Sequence, residues 1–96
     1  MQTYHFEASQ PEHTPAGKLL SKMYYGGFID AALKRGESTG YPHNGGQHSL
    51  TLILSVDELT AFLSLVEESY PQHPGTSEFI TSVRERAIKK HPRLFS

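Results

Sequence analysis

The sequence predicts a small α+β domain with the element order β-α-β-α-α and a short sheet of about two or three strands covered by helices. Three observations predict it. Residues 50–54, LTLIL, are a branched apolar run without Gly or Pro, suited to a well-packed strand. That run passes straight into SVDE, a helix-start pattern, and then into apolar residues at helical spacing. Near the N-terminus, QTYHFEA alternates loosely with a period of two.

In residues 2–8, Tyr4, Phe6 and Ala8 share one side and His5 and Glu7 the other, as in a strand with one buried face. Residues 10–15 read as a loop punctuated by Pro11 and Pro15. Thr14 suits the N-cap of a helix whose first residue is Pro15. Leu19, Leu20, Met23, Tyr24, Gly27 and Ala31 then form one stripe, which predicts a single helix to about Arg35, closed by Gly36. Gly26 and Gly27 are its weak point, since each costs about 1 kcal/mol against alanine inside a helix. The alternative is a break into two pieces near Tyr25.

Residues 37–47, ESTGYPHNGGQ, read as a loop on their Gly, Pro and Asn-Gly-Gly content. The lesser alternative is a hairpin in which residues 38–41 pair with LTLIL. Ser55 and Glu58 form a capping box. Leu59, Phe62, Leu63, Val66 and Tyr70 make the inner face of the helix that follows, with Asp57, Thr60, Ser64 and Glu68 opposite, and Pro71 as the stop. A last helix capped by Thr76 or Ser77 carries Phe79, Ile80, Val83 and Ala87 on one face and ends at Pro92. If the two strands were adjacent and parallel, the helix between them would be a right-handed crossover. Two strands alone are marginal, so a hairpin, a second chain or helices on both faces must complete the sheet.

Ninety-six residues are read as one domain over 1–96. No cysteine is present, which excludes disulfides, thiolate metal sites and a cysteine nucleophile and is compatible with a cytoplasmic setting. No run approaches the roughly 18 apolar residues of a membrane span, and MQTYHFEAS has no signal-peptide pattern. A net charge of −1 gives no overall drive toward nucleic acid or anionic lipid.

Six histidines invite a metal reading, with His43 and His48 as the candidates. An H-x4-H spacing in a loop fixes no coordination geometry, and surface histidines are the favoured account. The glycine-rich loop 36–46 lacks the G-K-[ST] of a phosphate loop. Nothing in the chain is spaced as a catalytic triad, so a non-enzymatic protein without a cofactor is expected. Lys18 and Lys22, with Arg84, Arg86 and Lys90 in the basic last helix, are candidates for phosphate or nucleic-acid contacts. Their plainer role is to complement helix dipoles.

Tyr24-Tyr25-Gly26-Gly27-Phe28 is the most unusual local composition. Tyr24 belongs to the core stripe, whereas Tyr25 and Phe28, together with Leu94 and Phe95, are candidate anchors for a protein partner. The resulting expectation is a binding or regulatory protein, an inhibitor or adaptor, that works through a macromolecular surface and self-associates. A phosphate-binding protein is the first alternative, and a metal-dependent enzyme using the loop histidines is the second.

Overall fold

The computed structural model describes residues 2–33, 37–39, 43–44 and 46–95, with the backbone alone at 37–39 and 43–44. Its organising junction is Ser55. The strand Thr51–Leu54 ends there and the helix Val56–Ser69 begins. Ser55 Oγ accepts from the Glu58 N–H at 3.2 Å, and Glu58 Oε1 accepts from the Ser55 N–H at 2.9 Å. This is the expected capping box, and it satisfies donors that a helix start leaves free.

The elements in chain order are β1 (Tyr4–Glu7), β2 (Gln10–Pro11), α1 (Pro15–Tyr25), α2 (Phe28–Ala32), β3 (Glu37–Thr39), β4 (His43–Asn44), β5 (Gln47–His48), β6 (Thr51–Leu54), α3 (Val56–Ser69) and α4 (Thr76–Lys90). A short 3-10 turn, Pro92–Leu94, follows α4. This is a small α+β domain, as expected.

All strand pairs are antiparallel, in the orders β1-β6-β3 and β2-β5-β4. The first and central strands are therefore adjacent but not parallel, and no crossover arises. Glu7 faces Thr51 and Gln10 faces His48, so residues 4–11 and 47–54 keep one register through the gap between β1 and β2. On the other side Thr39 faces Thr51 and His43 faces His48, so there the register slips by one residue.

Three expectations about the path of the chain need correction, and one about a helix cap. The stretch 10–15 is not all loop, because Gln10–Pro11 pairs with Gln47–His48. The stretch 37–47 is not a loop either: β3 pairs with β6, and Asn44 faces Gln47 across a two-residue connection in which Gly46 has φ +80°. The hairpin alternative describes it better, although residues 40–42 lie outside the described residues. Turn-forming residues punctuate a hairpin as readily as a loop, and composition alone does not separate the two.

The third correction is the single long helix. α1 ends at Tyr25, and Gly27 takes a left-handed φ of +78° before α2 begins at Phe28. A left-handed residue just past the last turn is a usual helix ending, and glycine adopts it without a Cβ penalty. The predicted stop at Lys34, Arg35 and Gly36 lies outside the described residues.

The core gathers on one face of the sheet. Phe6, Ala8, Leu50, Leu52 and Leu54 are buried there, beneath Leu19, Leu20 and Met23 of α1, Phe62 and Val66 of α3, and Phe79 and Val83 of α4. α1 packs on α4, α4 also lies along β1, and α3 packs on β6 and α4. Thr14 caps α1 as expected, accepting from the Gly17 N–H at 3.0 Å. The cap of α4 differs from expectation. Gly75 holds the N-cap position without a side-chain bond, and Thr76 Oγ1 donates instead to the Tyr70 carbonyl at 2.5 Å. Glycine is required there by crowding, because a Cβ at residue 75 would lie 2.1 Å from the Pro15 carbonyl oxygen.

Candidate functional site

The end of α1 presents the most exposed aromatic surface among the described residues. Tyr25 is 72 % exposed and Tyr24 37 %. Their rings meet edge to face, with centroids 5.3 Å apart and planes at 89°. Tyr24 thus departs from its expected place in the core stripe. The residues buried on α1 stop at Met23, and the helix ends two residues later at Tyr25. The left-handed Gly27 turns the chain between Tyr25 and Phe28, so neighbouring aromatics face different surroundings.

Phe28 is half-buried. Its ring centroid lies 6.5 Å from that of Phe62 and 5.3 Å from that of Tyr70, at 78° to the latter. Lys22 Nζ stands 5.8 Å from the centroid of Tyr70, within cation–π range. Lys22, Phe28 and Tyr70 therefore form one amphipathic shoulder beside the tyrosine pair. Tyr70, expected on the buried face of α3, is half-buried at its C-cap. Leu94 and Phe95 lie elsewhere. Both are half-buried, and the Phe95 ring packs edge-on against Phe6 at 6.4 Å. Of the four predicted anchors, the structure places Tyr25 out in solvent, and the other three are partly covered by the chain itself.

The basic candidates divide between surfaces. Lys22 borders a depression of about 390 Å³ with Tyr70, His73 and Pro74. Arg84 borders an adjoining one of about 320 Å³ with Glu67, His73 and Ser77. Arg86 points the other way, its Nη1 donating to the Ser9 carbonyl at 2.6 Å. Lys18 and Lys90 are exposed on their helices. His43 faces His48 in the β4–β5 ladder, and His48 is buried, but the side chain of His43 lies outside the described residues. Among the described residues, no three His, Cys, Asp or Glu side chains converge as a metal site.

Sequence reasoning did not find the cluster around Ser9. Its buried hydroxyl accepts from the Leu50 N–H at 2.9 Å and donates to the Glu7 carboxylate. With Arg86, Ser49 and Thr51, Glu7 and Ser9 line a depression of about 470 Å³. An uninterrupted ladder would use the Ala8 carbonyl for the Leu50 N–H, so the hydroxyl stands in for a strand acceptor, and the gap between β1 and β2 follows. A serine just past the strand-like residues 2–8 was the only signal available.

No helix among the described residues is long and apolar enough to cross a membrane. Set against protein-family models, curated proteins and solved structures, the chain has no match.

Proposed function

We propose that this is a non-enzymatic binding protein, an inhibitor or adaptor, which occupies another macromolecule's surface through the tyrosine pair at the end of α1 and also self-associates. The observation that carries the reading is the exposure of Tyr25, 72 %, on a ring already packed edge to face with Tyr24. Tyrosines offer large contact area at low rotamer cost, and such residues dominate many interfaces. The pair stands on an ordered helix end whose direction is set by Gly27, so little ordering remains to be done on binding. Phe28 and Tyr70 extend the apolar contact, and Lys22 supplies a charge at its margin.

The test is affinity capture from an extract of the native host, comparing the parent chain with a Tyr24→Ser/Tyr25→Ser variant. A partner retained by the parent and lost by the variant is expected. An identical set of captured proteins would reject the reading. Light scattering across a concentration series reads self-association in the same samples.

A phosphate ligand is the second reading, favoured by one observation: Lys22 and Arg84 border the two depressions that meet at His73. It predicts nucleic-acid binding at about 50 mM salt that falls steeply as salt rises. Filter binding that detects nothing at the low-salt point removes it.

A further inference from the structure

We propose that Arg86, His91 and the segment through Phe95 form an edge guard that prevents β1 from pairing with a second copy of this chain. The inference is independent of the tyrosine surface. Residues 4–11 hold one register against 47–54, so they present a long edge of unbroken register. A long edge strand with open backbone groups is a template for another strand, and folded proteins cover or interrupt such edges.

The cover can be read group by group. The Ala8 N–H donates to the Leu50 carbonyl, so by strand alternation the backbone groups of residues 4, 6 and 8 face β6, while those of His5, Glu7 and Ser9 face away. Two of the three outer carbonyls of that set, those of His5 and Ser9, are closed by side chains. His91 Nε2 lies 3.2 Å from the His5 carbonyl oxygen, and Arg86 Nη1 lies 2.6 Å from that of Ser9. A carbonyl only accepts, so His91 Nε2 carries the hydrogen. The outward Ser9 N–H donates to the Glu7 carboxylate at 3.2 Å. The His91 ring packs against Tyr4 and Phe6, at 5.4 and 5.5 Å, and Phe95 also packs edge-on against Phe6, at 6.4 Å.

An incoming strand would have to displace Arg86 and His91 to bond residues 5 and 9. A second copy is the occupant excluded, because one edge pairs antiparallel with itself about a two-fold axis using the same groups on both sides.

The experiment uses the full chain with Arg86→Met and His91→Phe, changes that keep the aliphatic stem and the ring while deleting both donors. Light scattering at matched concentration is expected to give a mass about twofold that of the parent chain, as for a two-fold dimer. Adding His5→Pro is expected to restore the parental mass. The His5 N–H faces away from β6, so proline costs no ladder bond but blocks the approaching strand. A mass equal to the parent's in the double variant overturns the proposal, as does an increase that His5→Pro leaves in place. If the double variant does not fold, His91→Phe alone is read by the same criteria.

Discussion

Ser9 shows how one hydroxyl changes a strand. It supplies the acceptor for the buried Leu50 N–H, and its own hydrogen goes to Glu7. Ser9→Ala leaves that N–H without its acceptor, at a cost of about 1–3 kcal/mol. Denaturant unfolding monitored by circular dichroism is expected to show a lower midpoint with an unchanged slope. Gly27 acts through backbone alone. A Cβ there meets nothing within 4 Å, so Gly27→Ala costs only the left-handed strain, about 1–2 kcal/mol. Asn at the same position is expected to recover part of the loss, because it tolerates that conformation better than alanine does.

At the scale of elements, the starts of α1 and α3 and the ends of α3 and α4 follow the sequence, whereas the end of α1 and the start of α4 do not. The Ser55–Glu58 box is made of local contacts three residues apart, so it is legible in any sequence that contains it. Ser55→Ala is expected to destabilise α3 by about 1 kcal/mol, read as the same midpoint shift. The start of α4 was misjudged for a tertiary reason. Its N-cap is chosen by the approach of Pro15, which leaves no room for a Cβ at residue 75. Gly75→Ala must push α1 and α4 apart at their N-termini and is expected to cost about 1–3 kcal/mol, more than propensity alone would give. Differential scanning calorimetry of the variant provides the check, and a melting temperature equal to the parent's would contradict the close approach. The division of α1 from α2 was open in the sequence, since Gly26-Gly27 fits an interior close contact or an ending. The structure uses Gly27 as an ending.

For the whole molecule, the core was largely readable. Phe6, Leu52, Leu54, Leu59, Phe62, Val66, Phe79 and Val83 are buried as their spacing requires. Periodicity reports which face of an element turns inward, and burial follows from that. Periodicity says nothing about which strand lies next to which. Hence the pairing of β1 with β6, that of β2 with β5 and the cluster at Ser9 and Arg86 were out of reach, while the pairing of β3 with β6 was legible only as the hairpin alternative. The surface was harder still. Tyr25 and Phe28 are three residues apart and alike in chemistry, yet one is exposed and the other leans on Phe62 and Tyr70. That difference depends on where the sheet and α3 end, which no local pattern records.

The antiparallel match of residues 4–11 with 47–54 also has a temporal side. On the ribosome β1 is made before its partner, which is complete only once Leu54 has emerged, and the Arg86 and His91 contacts come later again. Until then, a nascent chain carries Tyr4 and Phe6 with nothing to lie against, and closing so distant a pair is a slow step. Translation pauses that hold residues 4–11 outside the ribosome while 47–54 have yet to emerge are therefore expected to lower the yield of folded protein, whereas pauses before residues 4–11 emerge leave it unchanged.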